Sequence, residues 1–246
     1  MLEPASLRMS PKTGCCEPDS NTPSRAAGLN VFDSRAIGRA SCFAQRFMRS
    51  GVYDYAVVPG HGHALAAEYP FRVVVDEEKG REMTQHDVLV KDAKRGFDVD
   101  PQEVRINTGD LVLWSGAGRT TAVFSVVGEQ GFFNSARMMN ECGYSHAFGT
   151  AGEYRWIDAY GSHIGGVVRV GDPKSDDPQA FAKWKRTLGD GELVMIQDGK
   201  VDRKEIDIVT GQTVFFAVVT GPGISITDAR LLNIGNAPST NAKKAP

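Results

Sequence analysis

Histidine, cysteine and aspartate are the side chains of this 246-residue chain that could hold a metal or move a proton. The histidines are His61, His63, His86, His146 and His163. His61-Gly62-His63 is the sharpest pattern, because residues i and i+2 on an extended segment project to one face, where two imidazoles can grip one ion. Adding His163 and Asp158 from a second glycine-rich loop makes three nitrogens and a carboxylate, a donor set that suits copper, zinc or iron. The alternative is that His61 and His63 are solvated loop residues and that His163 caps a turn. His86 and His146 read as surface or interfacial residues. Cys15, Cys16, Cys42 and Cys142 form no paired C-x-x-C units, so the cysteines show no zinc pattern, and Cys42 and Cys142 read as small packed residues. Tyr144, Tyr160, Arg119 and Asp158 could line a polar loop end without a metal. Phosphate-binding glycine loops and a nucleophile elbow are absent.

The elements that must position these residues come from an internal repeat. Val99 to Trp114 matches Val201 to Phe216 at an offset of 102, with Val99, Asp100, Glu103, Ile106, Thr108, Gly109 and Val112 recurring. A second match at an offset of 101 relates Phe32, Ser34, Phe47, Gly51, Tyr53 and Gly60 to Phe133, Ser135, Phe148, Gly152, Tyr154 and Gly161, with Asp33/Asn134 and Tyr55/Trp156 as conservative pairs. The order is thus a second half at 31–76, a complete unit at 85–172 and a first half at 190–232. Each loose half alone would leave a sheet edge unpaired and an apolar face wet, so 31–76 is expected to pair with 190–232, within one chain or between chains.

Alternation in EVRINTGDLVLW reads as two strands around Thr108-Gly109-Asp110, with Val104, Ile106, Leu111 and Leu113 as candidates for the buried face. Further strands are expected at 122–127, 152–157 and 167–170. Asp177 before Pro178 starts a connecting helix at 176–189, with Phe181, Trp184 and Leu188 on one face. Ile37, Ala40, Ala44 and Phe47 fall at helical spacing, as does the partner segment after Ser135. Residues 1–30 and 233–246 read as polar tails.

The central unit, with Pro101, Gly109, Asp110, Val112 and Trp114, then F-x-x-x-G-x-Y-x-W at Phe148, Gly152, Tyr154 and Trp156, then Gly166, Val168 and Val170, resembles the cupredoxins, the plastocyanin and azurin type of blue-copper domain. The resemblance implies an all-β fold of two cupredoxin-like Greek-key barrels or sandwiches, one contiguous and one split between the chain ends, with short connecting helices. It also implies where copper ligands would stand, and those positions carry other residues. Asp158 is at the family's Cys position, Gly161 at its second His and Ile164 at its Met, with the first His near Thr121. In the other unit Val57 and Gly60 take the Cys and His positions. Without the thiolate no blue-copper centre forms. H-x-H pairs also occur in multicopper oxidases, but this chain has about half the histidines those enzymes need.

With 28 basic and 30 acidic residues the formal net charge is −2, and no basic stripe interleaved with aromatics marks a nucleic-acid surface. No continuous apolar stretch suggests a secretory leader or a membrane span, so a cytoplasmic location without a membrane partner is expected. The leading functional expectation is a binding or assembly subunit with a protein partner or a homo-oligomeric state. The alternatives are a redox or metal protein holding copper or another divalent transition metal at His61, His63, His163 and Asp158, and an enzyme at the barrel loop end.

Overall fold

Val104 and Ile106 point inward while Glu103 and Arg105 face water, the period-two pattern of a half-buried strand, and the same pattern recurs at Ile206 and Ile208. The computed structural model describes residues 31–61, 68–77, 81–118, 121–173 and 177–232. They form sixteen strands and one α-helix. The strands are β1 Ser41–Arg46, β2 Gly51–Pro59, β3 Phe71–Asp76, β4 Gln85–Asp92, β5 Phe97–Asp100, β6 Glu103–Asn107, β7 Leu111–Gly116 and β8 Phe124–Gly128, followed by β9 Cys142–Ala147, β10 Gly152–Ile157, β11 Gly165–Gly171, β12 Glu192–Gln197, β13 Lys200–Val201, β14 Glu205–Val209, β15 Thr213–Thr220 and β16 Thr227–Asp228. The connector contains α1, Pro178–Thr187, whose start is capped by the Asp177 carboxylate accepting from the N–H groups of Gln179 and Ala180.

One sheet has eight strands in the order β13-β12-β15-β9-β1-β7-β4-β5, and two others have four each, β14-β11-β10-β16 and β6-β3-β2-β8. The halves of the long sheet meet where β1 pairs antiparallel with β9, Phe43 opposite Tyr144. Each half packs on one four-stranded sheet through aromatic side chains: Tyr55 of β2 meets Trp114 of β7 at 5.4 Å, and Trp156 of β10 meets Phe216 of β15 at 5.1 Å. No described helix is long and apolar enough to cross a membrane.

The expected closure of 31–76 onto 190–232 is corrected by the register. β1 pairs with β7, β2 with β8 and β3 in parallel with β6, so the first half closes onto the segment that follows it. Likewise β9 pairs with β15, β10 with β16 and β11 with β14. Two consecutive units result, β1 to β8 and β9 to β16. The physical reason is connection length: both copies of the complementary half offer nearly the same face, and the copy that follows β3 directly in sequence is the nearer one. What joins 31–76 to 190–232 is an arm. Ser34 N donates to Ile226 O at 2.9 Å, Asp228 N donates to Phe32 O at 2.9 Å, and Asp33 bridges Thr227. A reciprocal arm bridges Asn134 to Val127, with Ser135 N donating to Val126 O.

Two further expectations change. The segment from Ser34 to Phe47 is turn and then β1, and its partner after Ser135 leads into β9; almost every residue of both strands is buried, which erases the alternation that would mark a strand. Strands β6 and β7 are not a hairpin. The turn at Gly109, φ 95°, carries the chain from a four-stranded sheet to the eight-stranded one, so Val112 and Trp114 are buried and Leu111 and Leu113 face away.

Candidate functional site

The arm that crosses between the units carries Asp33, which is 4% exposed. Arg35 turns back on it as a fork, with Nε 3.0 Å from Oδ1 and Nη2 2.9 Å from Oδ2, while the Arg35 amide N–H donates to Oδ1 at 3.0 Å. Hydrogen bonding to Asp33, opposed by burial, holds the guanidinium above its usual range. The same fork recurs between Arg230 and Asp228, so the Asp-x-Arg turn is a local device of this fold. Asp33 differs in what surrounds it.

On one side stands His61. Its amide N–H donates to Arg35 O at 2.9 Å, its φ is 61°, and its Nε2 lies 3.7 Å from Asp33 Oδ2. A left-handed backbone is costly for a residue with a Cβ, and such strain concentrates at functional sites. On the other side a hydroxyl chain leads inward. Thr227 Oγ1 donates to Asp33 Oδ1 at 3.2 Å and lies 3.0 Å from Ser225 Oγ, which reaches Asp158 Oδ1 at 3.2 Å.

Asp158 also accepts backbone N–H groups: Ser225 at 2.8 Å and Tyr160 at 3.2 Å on Oδ1, Ser162 at 3.1 Å on Oδ2. Burial pushes this carboxyl up, but the amides of Ser225, Ser162 and Tyr160 with the Ser162 hydroxyl outweigh it and hold the acid below its usual range. Its lone pairs are committed to closing the 158–164 turn and to fastening Ser225 to it. A third branch starts at the Asp33 amide, which donates to Tyr144 Oη at 3.1 Å; Tyr144 Oη lies 2.7 Å from Ser41 Oγ, itself 2.9 Å from His146 Nδ1.

Of the sequence-derived metal set, His61 and Asp158 are therefore connected through Asp33, Thr227 and Ser225 without sharing a ligand position. His163 sits at φ 62° in the same turn as Asp158, and His63 lies outside the described residues. Among the described residues no three His, Cys, Asp or Glu side chains converge to hold a metal ion. Val57 and Ile164, two of the positions compared with copper ligands above, are buried apolar residues, and a Cβ on Gly60 would fall 2.8 Å from Ala36 Cβ and 2.9 Å from Val123 Cγ2.

His86 lies 3.2 Å from the buried Asp110, and His146 is interior, its ring 4.8 Å from that of Phe148. Tyr144 is fully buried at the β1/β9 seam, so it lines no loop end, and Arg119 lies outside the described residues. The side chains of Cys42 and Cys142 are buried. A shallow depression of about 440 Å³ lined by Asn140, Asp198, Gly199, Thr220, Gly221 and Pro222 is separate from the ionic cluster; the Asp198 carboxylate there accepts the Thr220 hydroxyl at 2.6 Å.

Sequence reasoning missed Asp33, Arg35, Ser225 and Thr227 as site residues. The signal lay in the repeat itself, where Asp33 aligns with Asn134 and Asp158 with Val57: a buried carboxylate in one copy and a neutral residue in the other. Comparison with known proteins adds nothing to this geometry, since no family model, no curated protein and no solved structure matches the chain.

Proposed function

We propose that this chain is a binding or assembly protein on a duplicated, cupredoxin-like β-sandwich scaffold that carries no blue-copper centre. The observation that carries the reading is Asp158. The motif resemblance puts it at the thiolate ligand's position, and its oxygens are taken up by the amides of Tyr160, Ser162 and Ser225. The cupredoxin likeness rests on the repeated motifs and is supported by two packed layers in each unit. A binding role draws support from the exposed side chains gathered where the units meet, a common place for ligand sites.

Purified untagged chain, supplied with Cu(II) and then desalted, should show no intense visible absorption of a copper-thiolate centre. In native mass spectrometry of material isolated under mild conditions it should be accompanied by a partner or a second copy. Intense blue absorption, or a strictly monomeric chain that captures nothing, would overturn the reading.

A second reading, an atypical metal site at His61 and His63, is favoured by one observation: a carboxylate, Asp33, stands 3.7 Å from His61 Nε2, as carboxylates often stand behind the far nitrogen of a metal-bound imidazole. Elemental analysis of the parent and of a His61→Ala, His63→Ala variant separates the two readings. Stoichiometric metal lost in the variant would favour the metal site; equal, near-zero metal in both would remove it.

A further inference from the structure

Phe43 of β1 pairs antiparallel with Tyr144 of β9, its own equivalent at the repeat offset of 101, so positions near this junction have equivalents across it and the molecule supplies its own control. On one side stand Asp33, Arg35 and His61 from the first unit with Arg137, Asp158 and Tyr160 from the second. Their equivalents at the repeat offset are Asn134, Ala136 and Ser162 with Ala36, Val57 and Pro59, a set without a single charge. Both sides fold with the same arms and bridges: Ile37 pairs with Phe124 as Met138 pairs with Ile224, and Asp33 with Thr227 as Asn134 with Val127. The scaffold therefore does not need these charges, and their concentration on one side marks a site.

The charges are layered. Both carboxylates are buried, Asp33 and Asp158 at 4% exposure each, and are spent on internal donors. The cations lie further out. Arg35 uses Nε and Nη2 on Asp33, and its Nη1 has no hydrogen-bond partner among the described residues. Asp158 and Tyr160 both lie within electrostatic reach of the Arg35 guanidinium. The Tyr160 ring, 41% exposed, carries the Arg137 guanidinium 4.1 Å from its centroid, and Arg137 forms no ion pair among the described residues. His61, more than half exposed, stands beside Arg35 with its ring directed at Asp33. The ligand-facing groups are thus two guanidiniums, an imidazole and a phenol, all able to donate hydrogen bonds and none of them a carboxylate.

We infer that this junction binds a small oxyanion, the carboxylate or phosphate group of a small molecule, held by Arg35 and His61 from the first unit and Arg137 and Tyr160 from the second. Guanidinium forks match the planar geometry of such anions, and a fork already held by Asp33 loses little freedom on binding. The inference deepens the binding role proposed above and rests on it only in requiring that the junction is not a copper site.

The test is calorimetric titration of the full chain with inorganic phosphate and, separately, with succinate, at constant ionic strength set by chloride. It is repeated on Arg137→Ala and His61→Ala, two exposed side chains whose loss leaves the buried network in place, with circular dichroism to verify folding. Saturable binding of one or both anions, weakened about tenfold or more in each variant, is the expected result, and the anion that binds identifies the ligand group. Absence of saturable binding to either anion overturns the site, as does binding that both variants retain at parental strength. Copper content, measured on the same preparations, reports on the binding reading independently, so failure of one is distinguishable from failure of the other.

Discussion

The hydroxyl of Thr227 donates to the carboxylate of Asp33 at 3.2 Å, across 194 residues of sequence and inside the molecule. That bond fastens the arm of the first unit to the last strand of the second, and Arg35 completes the ion pair on the same carboxylate. Removing one partner of a buried pair leaves a charge uncompensated, which costs about 3 to 5 kcal/mol. Asp33→Ala is expected to lower unfolding free energy toward that range in urea titrations. Asp33→Asn, which copies the residue of the other unit, should lose less.

Tyr144 and Tyr55 make a paired comparison. Tyr144 Oη accepts the Asp33 amide and contacts Ser41, whereas Tyr55 Oη is buried beside Trp114 without a hydrogen bond among the described residues. Burial pushes the Tyr55 phenol up to about 12, so it stays protonated at ordinary pH. Tyr144→Phe should cost about 1 to 3 kcal/mol, because a buried donor and acceptor lose their partner. Tyr55→Phe should be neutral or mildly stabilising in the same thermal and urea measurements, since it removes a hydroxyl that was desolvated for nothing.

Asp158 sets an acid dependence. Its folded-state carboxyl is held below its usual range, after burial is outweighed by the Ser225, Ser162 and Tyr160 amides. A depressed folded value means that its stabilising contribution is fully present above the unfolded aspartate value of about 3.9 and is lost as pH falls through the folded value. Asp158→Asn should be less stable than the parent at pH 7 and should show a flatter loss of stability below about pH 4, read from urea midpoints across a pH series. An unchanged acid limb in the variant would contradict the assignment.

Gly60 and Gly161 are equivalent glycines with different reasons to be glycine. A Cβ at Gly60 would sit 2.8 Å from Ala36, while Gly161 has open space around it but a φ of 86°. Gly60→Ala should destabilise by overpacking, about 1 to 3 kcal/mol. Gly161→Ala should cost about 1 kcal/mol through backbone strain alone. Replacing Ala36 by Gly should rescue the first variant only in part, because Val123 Cγ2 would still stand 2.9 Å from the new Cβ, and should leave the second untouched.

By itself the sequence determined the duplication, the β-rich class, the strand at Gly152–Ile157 and the capped helix at Pro178–Thr187. All of these are local or periodic properties, carried by turn glycines, alternation and a helix cap. It could not determine which copy of a half closes on which, because the copies present nearly the same apolar face to a partner. Chain connectivity and the β1/β9 seam decided that in the tertiary structure. Nor did the strongest local pattern, His61-Gly62-His63, reveal the cluster around it. Asp33, His61, Asp158 and Thr227 become neighbours only when an arm crosses between the units, and a contact made by such a crossing leaves no periodic trace in the chain. What the sequence did hold, once the fold aligned the copies, was the contrast between Asp33 and Asn134 and between Asp158 and Val57, buried charge against a neutral equivalent.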